Sequence, residues 1–296
     1  MLRRGVYPAL ITFYDARERV DPEATAAHAA RLVDAGVDGL VVSGSTGEFH
    51  LLSLDERRAL LEAIAGAANG RVSLTAHVGA PTTRATCELA EHAAEAGASA
   101  VLVVTPYYNR IGADEQRTYL RAVAQAAGGL PVLAYTMPAM AGDRYPVDLL
   151  AELARDGVVQ GVKESGDELS RLLSIIDATP EGFAAFAGSA PLFAPCLLAG
   201  GQGGVLALAN VAPEACVAIG AAVERGDGAH AMQLTRALTG LQQAIRAAGS
   251  APAGYRAGVA LQDPRAAHVR APLFAAPDAA RERIARALEA LTPALA

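Results

Sequence analysis

Residues 132–163 read Val132-Leu133-Ala134-Tyr135-Thr136, a connection through Pro138 and Gly142, a segment of helical period from Val147, and then Val158-Val159-Gln160-Gly161-Val162-Lys163. A short apolar run, a longer amphipathic segment and a second apolar run make one β-α-β unit. The same alternation runs through most of the chain, with strand candidates at 7–13, 39–43, 73–78, 100–105, 132–136, 158–163, 184–187 and 204–208. Helix candidates begin near Pro22, Leu54, Thr83, Asp114, Val147, Asp167, Pro191 and Pro213. Asp21 ahead of Pro22, and Ser53 ahead of Leu54-Asp55-Glu56, are helix-start signals, because their side-chain oxygens can accept otherwise unpaired N–H groups. Gly36, Gly70, Gly97 and Gly157 stand where helices should end.

Eight such units with strands apolar on both faces describe a closed parallel (β/α)8 barrel better than an open doubly wound sheet, the structural alternative. The expected organisation is a barrel over 1–225 followed by a helical C-terminal region over 226–296, which shows helical pattern and no strand. The 296 residues are 52% hydrophobic with a formal net charge of -6, enough for a full core and without a basic face for nucleic acid. No apolar run is long enough to span a bilayer, and Met1-Leu2-Arg3-Arg4 ahead of the first strand does not read as a signal peptide; a cytoplasmic protein is expected. Cys87, Cys196 and Cys216 lack metal-ligand spacing and read as reduced, buried thiols.

Of the 25 basic residues, 24 are arginine and one is lysine, Lys163. Arginine can serve surface charge, but it cannot act as a nucleophilic amine. In barrels of this type, catalytic groups come from the C-terminal ends of strands and the loops after them. Lys163 closes the sixth strand candidate, Tyr135 stands near the end of the fifth, Gly44-Ser45-Thr46-Gly47-Glu48 follows the second, and Tyr107 and Tyr108 follow the fourth. A lysine at an apolar mouth loses hydration, which favours the free amine that attacks a ketone. A neighbouring tyrosine can move the protons, and small turn residues let backbone N–H groups approach a carboxylate.

Other signals are weaker. Gly200-Gly201-Gln202-Gly203-Gly204 precedes a strand, whereas dinucleotide fingerprints follow one, so it reads as a helix-to-strand turn. The six histidines form no His-Glu-x-x-His pattern, and neither a metal nor a cofactor is expected. His77 and His50, nearest the rim, read as packed residues. Glu164 should point away from Lys163 by strand alternation.

Four ordered motifs carry a resemblance to a known family: Gly44-Ser45-Thr46-Gly47-Glu48 with Leu52-Ser53-Leu54-Asp55-Glu56-Arg57; Thr105-Pro106-Tyr107-Tyr108-Asn109; Pro131-Val132-Leu133-Ala134-Tyr135 with Pro138 and Gly142; and Gly161-Val162-Lys163-Glu164-Ser165. Over residues 5–272 the chain resembles the dihydrodipicolinate synthase/N-acetylneuraminate lyase family. The resemblance implies a class I lyase in which Lys163 forms an imine with a 2-oxo acid, Tyr135 relays protons, and Ser45 and Thr46 bind the carboxylate and continue the relay, with Gly47 in the same binding turn. It implies that Tyr108 enters a neighbouring subunit's site, so that a dimer is the least assembly and a dimer of dimers is common. Glu48 looks structural in the family.

Departures from the family pattern bear on the substrate. Met140 stands where synthases that condense pyruvate with aspartate semialdehyde carry an arginine, and Gly188-Ser189 lacks the aspartate usual in sialic acid lyases. Thr12-Phe13-Tyr14 replaces Thr-Pro-Phe, and Tyr255-Arg256 stands where lysine is frequent. The expectation is an aldolase or dehydratase for a 2-keto-3-deoxy sugar acid or a 4-hydroxy-2-oxo acid, with an aldehyde as co-substrate or product and Met140, Ser189 and Asn210 touching the distal half. The alternatives are 4-hydroxy-tetrahydrodipicolinate synthase and a non-catalytic 2-oxo acid sensor.

Overall fold

The structure, a computed structural model, describes residues 2–291. Its strands are β1 Gly5–Pro8, β2 Gly39–Val42, β3 Ser73–His77, β4 Ala100–Val104, β5 Val132–Thr136, β6 Gly161–Glu164, β7 Ala184–Ala187 and β8 Gly203–Leu206. All neighbours are parallel, in the order β1-β8-β7-β6-β5-β4-β3-β2. A bridge between Ala9 and Val41 joins the first strand's end to β2, with the Leu10 N–H donating to the Val41 carbonyl at 3.0 Å. The sheet is therefore the expected (β/α)8 barrel, not an open doubly wound sheet.

Helices alternate with these strands: α1 Pro22–Asp34, α2 Leu54–Ala68, α3 Thr83–Glu95, α4 Ala113–Ala126, the short α5 Pro138–Ala141, α6 Val147–Arg155, α7 Leu169–Ala178, α8 Ala190–Leu198 and α9 Pro213–Glu224. After them come α10 Gly228–Arg246, α11 Ala251–Ala260 and α12 Asp278–Glu289, and among the described residues no strand follows β8. The start signals work as their chemistry demands. The Ser53 hydroxyl accepts from the Glu56 N–H at 3.1 Å while the Glu56 carboxylate accepts from the Ser53 N–H at 2.9 Å, and Asp21 accepts from the Ala24 N–H at 2.9 Å.

Strand alternation divides the core in two. Inward side chains, including Tyr7, Val41, Leu102, Leu133, Tyr135, Phe186 and Val205, fill the barrel, while the outward set packs under the helices. The C-terminal helices do not form a separate bundle: α10 packs on α8, α9, α11 and α12. That packing brings the end of α10 and the start of α11 over the mouth of the barrel.

Three expectations need correcting. Residues 9–13 are buried but leave the sheet after Ala9, because Thr12 donates to the Gly47 carbonyl at 2.7 Å and the Phe13 N–H donates to the Thr25 hydroxyl at 3.0 Å. The eighth strand stops at Leu206, and Ala207–Asn210 is a 3-10 turn. The β6 strand begins only at Gly161, since the Val158 and Val159 N–H groups close the end of α6 on the Leu153 carbonyl.

Candidate active site

Register places the central pair. Tyr135 on β5 is the register partner of Lys163 on β6, and Lys163 is that of Phe186 on β7, so the three side chains enter the barrel at one level. Lys163 is 4% exposed and Tyr135 1%. The Lys163 Nζ lies 4.1 Å from the centre of the Tyr135 ring, and the Tyr135 hydroxyl is 3.3 Å from the Ser45 Oγ. Burial alone would raise the Tyr135 phenol. The positive charge of Lys163, with polar contacts from Ser45, Lys163 and Ser165, outweighs it and holds the phenol below the usual tyrosine value.

The turn after β2 is held in an unusual shape. Ser43 at φ 55° and Glu48 at φ 59° bracket Gly44-Ser45-Thr46-Gly47, both in the left-handed region that side chains disfavour. Glu48 is buried and forms a two-pronged ion pair with Arg256 of α11, Nε to Oε1 at 3.1 Å and Nη2 to Oε2 at 2.9 Å. The pair ties the loop after β2 to α11, consistent with the structural place that the family resemblance implies for Glu48. Gly47 is the close-approach point: a Cβ there would lie 2.8 Å from the Leu10 carbonyl. Among the described residues the Ser45, Thr46 and Gly47 N–H groups have no backbone partner.

A cavity of about 150 Å³ opens over this cluster, lined by Ser45, Thr46, Tyr135, Lys163, Ser165 and Ser189 among others. Met140 also lines it, at 55% exposure, from α5. Two assignments need correction. Gly47 is packed behind the turn and does not line the cavity. Asn210 is fully buried elsewhere: its carbonyl accepts from the Ile11 N–H at 3.1 Å and from His28 at 3.0 Å, and its amide donates to the Ala9 and Ala207 carbonyls at 2.7 and 2.9 Å. Every polar atom of that side chain is engaged in joining β1, α1 and the turn after β8, so none is left for a substrate.

Tyr108 does not reach its own chain's cavity. It is fully exposed, at φ 79°, while Tyr107 packs against Phe49 at 5.5 Å between ring centres. Glu164 points outward as alternation requires, paired with Arg171 at 2.8 Å. His77 lies beneath the site, 4.5 Å from the Phe49 ring and 6.0 Å from the Tyr135 ring, with no partner on its Nε2. Burial first, then the charges of Arg57 and Lys163, hold it neutral, well below the usual histidine range.

Several cavity residues were not among the site candidates drawn from the sequence. Ser165 and Asp167 follow β6, while Gln242, Arg246 and Tyr255 arrive from α10 and α11. Strand-end position would have found the first two; nothing local marks the others. Among the described residues there is no cluster of three metal-ligating side chains, and no helix is long and apolar enough to cross a membrane.

The Dihydrodipicolinate synthetase family model matches residues 2–291. An uncharacterized DapA-like lyase of Halobacterium salinarum is 40% identical over 269 residues, covering 91% of this chain and 88% of that protein. An N-acetylneuraminate lyase of Enterobacter is 35% identical over 231 residues, covering 78% of this chain and 77% of that one. Among solved structures, YagE, a prophage protein of the dihydrodipicolinic acid synthase family from E. coli K12 in complex with pyruvate, superposes with a TM-score of 0.93 at 28% identity, over 98% of this chain and 99% of that one. With a family match that spans the entire barrel and the C-terminal helices packed on it, the chain belongs to the dihydrodipicolinate synthetase family.

Proposed function

We propose that this family lyase acts through an imine between Lys163 and a 2-oxo acid such as pyruvate, as an aldolase or dehydratase for a 2-keto-3-deoxy sugar acid or a 4-hydroxy-2-oxo acid. The observation that carries the reading is the placement of the chain's one lysine: buried, at the end of β6, with its Nζ 4.1 Å from the ring of a phenol whose hydroxyl meets Ser45.

The residues divide the work. The amine of Lys163 adds to the ketone carbon, a nitrogen–carbon bond forms, and the ketone oxygen departs as water once protons have been moved to it. Tyr135 is the group within reach to move them, and Ser45 extends the path. The N–H groups of the Ser45–Thr46 turn are oriented for the substrate carboxylate. In the aldol direction of cleavage, the base takes the proton of the hydroxyl group, the adjacent carbon–carbon bond breaks, and its electron pair enters the imine to give an enamine. An aldehyde leaves, the enamine carbon is protonated, and water hydrolyses the imine to restore Lys163 and release the 2-oxo acid. The covalent imine is itself the electron sink, and this cycle uses no cofactor.

Tyr108 is carried forward as a group for the site of a neighbouring subunit, supported by its full exposure in a left-handed conformation; a dimer or dimer of dimers follows from that reading. The synthase reaction with aspartate semialdehyde is less well served, because Met140 offers no donor for a second carboxylate at its position. The test is trapping: incubation with pyruvate and borohydride should add the reduced adduct's mass to the peptide that contains Lys163. A chain that remains unmodified, under conditions that label a relative known to form the imine, would overturn the reading.

A further inference from the structure

We infer that Arg256 of α11 is a positioning residue for the 2-oxo acid. Through its ion pair with Glu48 it holds the turn after β2 in the shape that receives the substrate carboxylate, so the C-terminal region sets the affinity for that group without contacting it. The inference rests on the imine reading above, because it concerns how the same bound molecule is gripped.

The turn has a shape that does not hold itself. Ser43 and Glu48, at φ 55° and 59°, occupy the left-handed region without being glycine, and such residues persist only where surrounding contacts over-determine them. Between them the Ser45, Thr46 and Gly47 N–H groups are without backbone partners, while the Gly44 and Ser45 carbonyls accept from the Phe49 N–H at 3.3 Å and the Glu48 N–H at 3.1 Å. Neighbouring N–H groups on one turn suit a single anion, and they bind it well only if their orientation is fixed before it arrives.

What fixes the turn comes from the other end of the chain. Glu48 is sealed from water, and among the described residues its ion pair is with Arg256 alone, through two hydrogen bonds. Arg256 is itself anchored, since its Nη1 donates to the His268 carbonyl and its guanidinium lies against the Tyr14 ring, where Arg270 also lies. Arg270 holds the next stretch of the same loop, donating to the Leu51 carbonyl at 3.0 Å and to the Glu56 carboxylate at 2.9 and 2.7 Å. Tyr255, the residue before Arg256, lines the cavity with Ala251 and Pro252. Successive helical residues point about 100° apart, so α11 turns one side to the cavity and the adjoining side to Glu48. A buried carboxylate that loses its cation must reach water or take up a proton, and either course shifts the residue at which the turn ends. The effect falls on the grip of the carboxylate, while the Lys163 and Tyr135 pair stays in register on β5 and β6.

The experiment compares pyruvate with pyruvamide, in which a neutral amide replaces the carboxylate beside the same ketone. For each compound it measures the concentration that half-saturates borohydride trapping on the peptide containing Lys163, at a temperature well below each variant's thermal midpoint. Wild-type enzyme should need about 100-fold more pyruvamide than pyruvate. The double substitution of Glu48→Gln with Arg256→Met strands no charge. It should raise the pyruvate concentration about ten-fold, keep that for pyruvamide within about two-fold, and so bring the ratio down to about ten. Arg256→Lys keeps the charge but gives up the two-pronged geometry, and its ratio should fall about three-fold. A substitution that merely loosens the fold raises both concentrations together. A ratio that stays at the wild-type value in the folded double variant or in Arg256→Lys, or wild-type enzyme that traps the two compounds equally well, overturns this inference and leaves the imine reading intact. Failure of wild-type enzyme to trap pyruvate overturns the imine reading and this inference with it.

Discussion

Lys163 and Arg256 are both cations almost sealed from water, at 4% and 2% exposure, and they are treated in opposite ways. Arg256 grips Glu48 through two hydrogen bonds, donates to the His268 carbonyl at 3.1 Å, and rests on the Tyr14 ring at 4.6 Å. Among the described residues Lys163 makes no ion pair, and it meets the face and hydroxyl region of Tyr135. A buried pair is locked in place because removal of either member strands the other; an amino group that no carboxylate holds stays available to a ligand entering the cavity. Arg57 shows that the missing carboxylate is insufficient alone. It is also buried at 4% exposure, its charge is met by the Gly79 and His77 carbonyls and the Phe49 ring, and burial lowers it to about 10, yet a guanidinium is no nucleophile. Position, absence of a partner and the identity of the group must coincide.

The sharpest way to break this comparison is to remove each cation in turn. Lys163→Ala should abolish the borohydride adduct and turnover while leaving the thermal midpoint within a few degrees of wild type. Arg256→Met should do the reverse, destabilising the fold by about 3–5 kcal/mol through the stranded Glu48, with an adduct still formed well below the variant's own midpoint. Mass spectrometry and calorimetry on the two variants decide it; an adduct on Lys163→Ala, or an unaltered midpoint in Arg256→Met, would contradict the division. Next in size, Tyr135→Phe should lower kcat by about 10²–10⁴ with a much smaller change in the trapping midpoint for pyruvate. Full turnover by that variant would remove Tyr135 from the relay.

The smallest expected effect concerns His28, a third buried group whose partners fix its charge. Its Nε2 donates to Asn210 at 3.0 Å and its Nδ1 accepts from Arg31 at 3.2 Å, so protonation would set an N–H against a guanidinium. Burial, opposed by Asn210 and reinforced by Arg31, lowers it to about 4. The unfolded chain takes up that proton near pH 6.5, so the stability this histidine contributes is present above that pH and is lost as pH falls from about 6.5 to about 4, by about 3 kcal/mol. Denaturant titrations at pH 7 and pH 4 should show that difference narrowed in His28→Gln; an equal loss in both proteins would point to other groups.

Most of the barrel was legible because its signals are local. The runs at 132–136 and 184–187 became β5 and β7 with the same bounds, and helices α1, α2, α3, α6 and α9 begin at the residues expected from the pattern. Errors cluster where an apolar run is buried without being a strand. Within residues 9–13 the Ile11 N–H donates to the Asn210 side chain beyond β8 and the Phe13 N–H to the Thr25 hydroxyl of α1, and periodicity cannot distinguish that from a ladder. The four-residue α5 is too short to show a period at all. In the site, Lys163, Tyr135 and Ser45 were readable from their places at strand ends. Asn210, four residues beyond the last strand, was misread because its 3-10 turn carries the side chain under β1 and away from the cavity.

The order of residues alone determined that eight strand–helix units alternate and that a solitary amine closes the sixth strand, since period and strand-end position are properties of a few consecutive residues. Only the packed molecule decided that Arg256 of α11 neutralises Glu48, 208 positions earlier, and that Gln242 and Arg246 of α10 face the chemistry. Those choices depend on how a helix docks against a distant loop, and the energy of that docking is shared among many side chains, so no short stretch of sequence records it.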